Sequence, residues 1–288
     1  MSTQLPRLFD GLVDDAAVFP PGSASVPDAV AAHRRHRAAW YADLVGPLLL
    51  PASAVTTGAL TGLVEPGEDL VIGLIGDTGL DRLPATLSST GLTGCTVRQV
   101  EVPVAKRGED PQPGLTRLGP LVAERTDLDF YAEVPLTFGL LAALDTIAAT
   151  RAGGGRLAAK FRTGGLAAEL FPTPVELAAV ICACRDRKLP FKLTAGLHNA
   201  LRHTDPETGF AHHGFVNVLA ATAAALDGAE VADMAELLAA TDPLRVVDPI
   251  RARRDGERPL WVGFGSCSVV DPLTDLIRLG LVNGGFET

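Results

Sequence analysis

The chain has 288 residues, of which 47% are apolar, and it carries a formal net charge of −9 at pH 7. This length suffices for one large domain, and the acidic balance argues against nucleic acid or an anionic membrane as a partner. The start of the chain lacks a signal-peptide pattern, no apolar run reaches about 18 residues, and the four cysteines have neither disulfide nor zinc spacing. We therefore expect a cytoplasmic protein with free thiols.

Short apolar runs alternate with longer segments of helical pattern along the chain. This alternation predicts parallel strands joined by helices, and eight runs predict a closed (β/α)8 TIM barrel, with an open doubly wound sheet as the alternative. One domain over residues 1–288 is expected, because such a barrel has about 250 residues. The eight runs are 14–20, 45–52, 69–77, 96–104, 129–136, 156–164, 190–197 and 260–268.

Three of the intervening segments have helical signals. Residues 27–43 begin with a proline, and residues 139–151 are apolar on one side. The segment 173–187 is the clearest, because Thr173 is a good N-cap and Glu176 completes a capping box. We expect this helix to begin directly after Thr173.

The interval between the seventh and eighth runs is longer than one strand–helix unit needs. It spans residues 198–259 and contains a histidine-rich stretch followed by two Ala/Leu-rich helical patterns. Long insertions in compact domains are often lids or binding loops, so we interpret this one as an inserted, lid-like helical segment over the barrel mouth. The alternative is a helical hairpin that packs for stability or forms a homo-oligomer contact.

Lysine is scarce in this chain, and two of its lysines occupy matching positions. Only four of the 25 basic side chains are Lys, and Lys160 and Lys192 stand toward the ends of the sixth and seventh runs. Unlike Arg, Lys can lose a proton and attack a carbonyl to form an imine. A second ammonium nearby disfavours the charged form of the first. Lys160 is therefore predicted to be the nucleophile, and Lys192 is predicted to lower its proton affinity.

Imine chemistry also needs a group that moves protons. Glu101, at the end of the fourth run, is the candidate acid/base, and Glu133 on the fifth run is a second carboxylate. The C-terminal ends of barrel strands form the catalytic face, so these side chains are expected to face one cavity. The structural alternative is that Lys160 only pairs with Glu101 or Glu133 in a buried polar cluster.

Three ordered motifs in the second half of the chain resemble those of deoxyribose-phosphate aldolase and its class I aldolase relatives. They are Lys-Phe-Arg-Thr-Gly-Gly at 160–165, Phe-Lys-Leu-Thr-Ala-Gly at 191–196 and Phe-Gly-Ser-Cys-Ser at 264–268. The resemblance implies a TIM-barrel lyase without a cofactor, whose partner is a small carbonyl substrate. It also implies a Schiff base on Lys160, tuning by Lys192 and proton relay by Glu101, which stands where the family has Asp.

The glycine-rich turns and the same resemblance predict where the polar tail of the substrate binds. Small residues before a helix make an anion cradle. In the family, the turn after the seventh strand has two glycines near a phosphate, and Leu197 replaces the second one here. Whether the substrate carries a phosphate is therefore left open. The predicted substrate-binding residues are Glu133, Arg162, Thr163, Gly164, Gly165, Gly196, His198, Gly265, Ser266 and Ser268.

Two other functions fit this chain. One is a catalytically idle barrel that binds a metabolite, and it would tolerate Arg at both lysine positions. The other is a metal-dependent barrel enzyme with nitrogen and oxygen ligands, although no His-x-His or His-Glu-x-x-His spacing supports it. Asp14 and Asp15 could join either site or serve as turn residues. The candidate metal ligands of this alternative are Glu101, Glu133, His198, His203, His212 and His213.

Overall fold

The protein is described by a computed structural model that covers residues 5–65, 67–89 and 92–284. The strands are β1 (Val13–Asp15), β2 (Val45–Pro51), β3 (Leu70–Ile75), β4 (Cys95–Pro103), β5 (Asp129–Glu133), β6 (Leu157–Arg162), β7 (Phe191–Thr194), β8 (His203–Thr204), β9 (Ala211–His212) and β10 (Trp261–Ser266). Eight of them form a closed barrel in the order β1-β10-β7-β6-β5-β4-β3-β2, and β8 and β9 pair as an antiparallel hairpin. The predicted (β/α)8 barrel is confirmed, and each predicted apolar run overlaps one barrel strand.

At least one helix separates each barrel strand from the next along the chain. They are α1 (Val26–Ala38), α2 (Ala52–Thr56), α3 (Leu83–Leu87), α4 (Gln112–Glu124), α5 (Leu140–Ala152), α6 (Pro174–Asp186), α7 (Phe215–Leu226), α8 (Val231–Ala239), α9 (Pro243–Ala252) and α10 (Val270–Arg278). Among the described residues, none of these helices combines the length and apolarity needed to cross a bilayer.

The three helices predicted from the sequence are confirmed as α1, α5 and α6, with one difference in length. Helix α1 ends at Ala38 rather than near residue 43, because the chain must turn there to enter β2 at Val45. Arg37 fixes this turn by donating from Nη1 to the carbonyl oxygens of Ala42 and Val45, at 2.8 and 2.9 Å.

The predicted capping box at the start of α6 is present. The Thr173 hydroxyl accepts the Glu176 N–H at 3.2 Å, and the Glu176 carboxylate accepts the Thr173 N–H at 2.7 Å. These bonds satisfy two N–H groups that a helix start would otherwise leave without partners. The first turn of α6 is therefore defined by local sequence alone.

The chain folds as two compact units. The first contains the chain up to Asp14, residues His36–Gly46 and the chain from Arg162 onward. The second contains residues Asp15–Arg35 and Pro47–Phe161. That residues 1–288 form a single domain stays a prediction.

In the first unit, the segment 198–259 has two parts. Helix α7 is almost wholly buried, with Phe215 stacked on Phe264 of β10 at 5.5 Å between ring centroids. Helices α8 and α9 pack on α7, and α8 also packs on α6, so the helical part belongs to the outer layer of this unit. The β8–β9 hairpin approaches the end of β7, where His212 Nδ1 lies 3.2 Å from the Gly196 oxygen.

In the second unit, Gly73 on β3 makes room for a polar side chain of the neighbouring strand. Gly73 lies beside Gln99 in the β3–β4 register. A Cβ at Gly73 would stand 2.6 Å from Leu49 Cδ2 and 2.8 Å from Gln99 Cγ. The missing side chain therefore lets Gln99 occupy this space, and Gln99 is 5% exposed.

Replacing Thr173 by Ala should lower the free energy of unfolding by about 1 kcal/mol, because the α6 cap loses its hydroxyl acceptor. Thr173→Ser keeps the hydroxyl and should stay close to the parent protein. Urea unfolding followed by circular dichroism would measure both variants. Equal losses in the two variants would contradict a capping role for this hydroxyl.

Candidate active site

Lys160 lies inside the barrel between two carboxylates. Its Nζ is 2.8 Å from Glu101 Oε2 and 2.9 Å from Glu133 Oε2. Glu133 is beside Lys160 in the β5–β6 register, whereas Glu101 is on β4, one strand further away. Because β5 lies between β4 and β6, the Lys160 and Glu101 side chains can meet only inside the barrel. The Lys160 and Glu101 side chains are 5% and 2% exposed, and Glu133 is 18% exposed, so Glu133 has the most access to solvent.

The carboxylate of Glu101 is held from a second side by Gln99. Gln99 Nε2 donates to Glu101 Oε1 at 3.0 Å, while the other oxygen, Oε2, faces Lys160. Both residues are on β4 two positions apart, so they project to the same face of the strand. The amide therefore fixes the orientation of the carboxylate that touches the lysine.

The charges around Lys160 set its protonation. Burial by itself lowers the pKa of Lys160, but Glu101 and then Glu133 raise that pKa above its ordinary value. Lys160 is therefore a protonated ammonium at neutral pH. The carboxylates that touch Nζ therefore work against a lowered proton affinity, and the effect of Lys192 on Lys160 stays a prediction.

Lys192 has a carboxylate partner, Asp14, which the sequence analysis offered only as a residue that could join the site. Its Nζ forms a buried ion pair with Asp14 on β1, and the side chains are 3% and 5% exposed. A Cβ at Gly46 would lie 2.0 Å from Asp14 Oδ1, so this glycine leaves the space that the carboxylate occupies. The sequence signal was the acidic pair at positions 14 and 15, next to a short apolar run.

Asp15 makes a separate contact. Adjacent strand residues point to opposite faces, so Asp15 points away from the face occupied by Asp14. Its Oδ2 lies 3.0 Å from Nδ1 of His33 on α1, and both side chains are buried. Its other oxygen accepts the Ala17 N–H at 3.2 Å. Asp15 thus holds α1 against β1 and is not part of the lysine clusters.

The turns that follow β6 and β7 pack backbone against backbone. The Thr163 hydroxyl donates to the Ala195 oxygen at 2.6 Å, and a Cβ at Gly164 would stand 2.9 Å from Gly196 Cα. Ala195 and Gly196 have φ values of +63° and +77°. Thr163 is fully buried, so its hydroxyl and the neighbouring glycine are used by this contact between turns. Arg162, in contrast, is exposed to solvent.

The turn after β10 uses its own serine hydroxyls. Ser266 Oγ donates to the Ser268 oxygen at 2.6 Å, and Ser268 Oγ accepts the Asp271 N–H at 3.2 Å in the first turn of α10. Ser266 is 1% exposed. Gly265, the last glycine of β10, is half-buried beside it.

His198 forms a pair with Cys267, a residue that sequence reasoning did not select. His198 Nδ1 lies 3.5 Å from Cys267 Sγ, and both side chains are half-buried. Burial lowers the pKa of His198, and His212 and His203 lower it further, whereas Asp271 raises it. The imidazole can accept the thiol proton and so favour the nucleophilic thiolate, but its lowered pKa makes it a weaker base than an unperturbed histidine, so this activation of Cys267 is modest. The only sequence signal was a cysteine in a Gly-Ser turn.

The remaining histidines are arranged for packing. The rings of His203 and His212 stack at 5.1 Å between centroids, which joins β8 to β9. His213 is buried and its Nε2 lies 2.7 Å from the Pro172 oxygen; burial lowers its pKa to about 4. Across residues 5–65, 67–89 and 92–284, no group of three or more His, Cys, Asp or Glu side chains has an arrangement that could hold a metal ion. The metal-dependent alternative therefore lacks a ligand set in this part of the chain.

Iodoacetamide should alkylate Cys267 faster than the other three cysteines, because burial raises the pKa values of Cys95, Cys182 and Cys184. Peptide mass mapping over a time course would give the four rates. His198→Asn should slow the reaction of Cys267 about 3- to 10-fold without changing the others. Faster alkylation of Cys95, or the same Cys267 rate in both proteins, would show that His198 does not activate the thiol.

The fold alone leaves the chemistry open, because TIM barrels support many unrelated reactions. Comparisons of this chain with family models, curated proteins and solved structures find no match.

Proposed function

We propose that this protein is a lysine-dependent aldolase-type lyase that makes or breaks a carbon–carbon bond next to a Schiff base on Lys160. The proposed substrate is a small aldehyde or ketone. We further propose that it is derived from a sugar or carries a phosphate. One observation supports it above the others: the buried amine of Lys160 touches the carboxylates of Glu101 and Glu133. A buried lysine in contact with acid/base groups has the parts that imine formation requires.

The carboxylates would supply the proton transfers of imine formation. Because Lys160 is protonated at neutral pH, Nζ first gives a proton to a touching carboxylate. The free amine then adds to the carbonyl carbon, and the carbonyl oxygen takes the proton to become a hydroxyl. The nitrogen returns a second proton to the carboxylate, which passes it to the hydroxyl. Water leaves, and a C=N iminium remains on Lys160.

The iminium would then act as the electron sink for bond cleavage. A carboxylate removes the proton of the substrate hydroxyl that is β to the iminium carbon. The electron pair of the carbon–carbon bond moves toward the nitrogen, so an aldehyde fragment leaves and an enamine remains. Protonation of the enamine carbon and hydrolysis release the second fragment and the free lysine. We assign the proton transfers of this cleavage step to Glu101, because Gln99 fixes the orientation of its carboxylate.

The other predicted residues have supporting parts in this proposal. It stays a prediction that Lys192 lowers the pKa of Lys160. The ion pair of Lys192 with Asp14 offsets the positive charge that this effect needs. Binding of a polar tail by the turn residues also stays a prediction. Among those residues, Arg162 is exposed and His198 and Ser268 are half-buried, so these three side chains are the ones best able to meet a ligand.

A catalytically idle barrel that binds a metabolite is the second candidate. The ion pairing of both buried lysines favours it, because a paired Lys and Glu can be a structural element in a barrel interior. The two candidates differ in whether the amine of Lys160 reacts with carbonyl compounds.

Borohydride reduction in the presence of small aldehydes and ketones should trap a covalent adduct on Lys160. Intact mass would detect the adduct and peptide mapping would locate it. Lys160→Arg keeps the positive charge beside both carboxylates but cannot form an imine, so the adduct should fall at least about tenfold. Lys188→Arg is the matched control, since Lys188 is exposed, and its adduct yield should be unchanged.

The absence of an adduct with every carbonyl tested, in protein shown to be folded, would overturn the aldolase proposal for those compounds. An adduct of equal yield in Lys160→Arg would place the reactive amine elsewhere and would equally contradict it.

Glu101→Gln should separate imine formation from proton transfer. Without this carboxylate the pKa of Lys160 falls, because Glu101 is one of the charges that raise it. Trapping should therefore persist and reach its half-maximum at a lower pH than in the parent protein. Without borohydride, the α-hydrogens of the same carbonyl compound should exchange with deuterium through the iminium and its enamine, and NMR should show this exchange about 100-fold or more slower in Glu101→Gln. A trapping profile that moves to higher pH would contradict the assigned role.

A further inference from the structure

Arg202, which directly precedes β8, is a half-buried arginine whose charge has no partner within the described part of the chain. Burial lowers the pKa of its guanidinium, and no described carboxylate opposes that effect. The group still carries its charge at neutral pH, as arginine does in proteins. A charge that is partly removed from water without a counter-ion is costly, so this residue needs a reason to be here.

Hydrogen bonds hold Arg202 in one orientation. Its Nη1 donates to Nδ1 of His213 at 3.4 Å, and His213 Nε2 donates in turn to the Pro172 oxygen at 2.7 Å. His213 brings no charge at neutral pH, because burial lowers its pKa to about 4. The backbone N–H of Arg202 donates to Asn217 Oδ1 at 2.9 Å, and the Asn217 amide donates to two carbonyl oxygens around the end of α8. The guanidinium is therefore fixed without being neutralised.

The contact with His213 leaves the Nε–Nη2 edge of the Arg202 guanidinium free. Nη1 is the nitrogen on the same side as Cδ, so the parallel Nε–H and Nη2–H bonds form the opposite edge. Neither nitrogen has a partner among residues 5–65, 67–89 and 92–284. Unlike Arg258 Nε and Trp261 Nε1, neither belongs to the buried polar atoms that lack a partner, so solvent reaches both.

Other arginines of this chain show which group fills that edge. Arg34 donates from Nε and Nη2 to the two carboxylate oxygens of Glu68, at 2.8 and 2.6 Å. Arg125 uses the same two nitrogens for Asp127, at 2.9 and 2.8 Å. In both pairs, two coplanar oxygens meet two parallel N–H bonds. Arg202 presents the same edge, and no described carboxylate occupies it.

We propose that Arg202 binds the carboxylate of a small ligand through Nε and Nη2. A carboxylate supplies the two coplanar oxygens and the single negative charge that complete this edge. A phosphate dianion would bring a second charge, which the neutral imidazole of His213 does not offset. Because Arg202 is half-buried, the ligand reaches it with one end. Arg202 belongs to the first unit, and this site does not depend on the aldolase proposal.

Phenylglyoxal, which adds to the nitrogens of a guanidinium, should modify Arg202, and acetate should protect this residue. Peptide mass mapping over a time course would give the rate at each arginine. Acetate at about 50 mM should slow the modification of Arg202 about 3-fold or more. Acetamide has the same shape without the charge, so it should leave the rate unchanged, as should sodium chloride at equal ionic strength. The matched control is Arg35, an exposed arginine without a described carboxylate partner, and acetate should not protect it.

Nitrogen-15 NMR of the full-length protein gives a second readout, which a purely structural role for Arg202 would not move. Arg202→Lys keeps the charge but removes the forked pair of donors, so loss of a signal in this variant assigns the Arg202 Nε–H. That signal should shift as acetate is added to the parent protein and to the control variant Arg35→Lys. Circular dichroism would verify that both variants are folded.

Four results would each overturn the proposal. They are an Arg202 that phenylglyoxal does not modify, equal protection by acetate and acetamide, equal protection of Arg35, and an Arg202 Nε–H signal that acetate does not move. Protection by inorganic phosphate in place of acetate would also overturn it, because the site would then take a dianion.

Discussion

A charge buried in a protein interior is costly unless an opposite charge or a set of hydrogen bonds accompanies it, and this constraint organises the inside of the barrel. Lys160 is held by Glu101 and Glu133, and Lys192 is held by Asp14. The same pairing that makes these lysines tolerable also keeps Lys160 protonated. Any reaction at its nitrogen must therefore begin with proton transfer to a carboxylate that already touches it.

The second constraint is the close approach of the turns at the ends of the strands. The contact between the turns after β6 and β7 is made by Thr163, Gly164 and Gly196. The Ser266 hydroxyl donates its hydrogen bond within its own turn. Residues that look like ligand-binding groups in the sequence thus serve backbone packing first. The side chains left for chemistry at these ends are half-buried ones, above all His198 beside Cys267.

Three buried polar side-chain atoms of the described residues have no hydrogen-bond partner, and they are Thr78 Oγ1, Arg258 Nε and Trp261 Nε1. The rest of the Arg258 guanidinium donates to three backbone carbonyls, which fix its position without neutralising its charge. Lys160 and Lys192, in contrast, lie beside carboxylates.

Local sequence determined the strands, the capped start of α6 and the position of both lysines near strand ends, because apolar runs, caps and turn residues act over a few neighbouring residues. Eight repeats of strand and helix favoured the barrel, but an open doubly wound sheet has the same local pattern, so only the tertiary structure decided that the sheet closes. The sequence could not determine that Asp14 would meet Lys192, 178 positions away, or that Cys267 would meet His198. Those contacts exist only because folding brings distant strand ends together. The same holds for the contacts of Lys160 with Glu101 and Glu133, which raise its pKa, because a pKa depends on the nearest charges in space rather than along the chain.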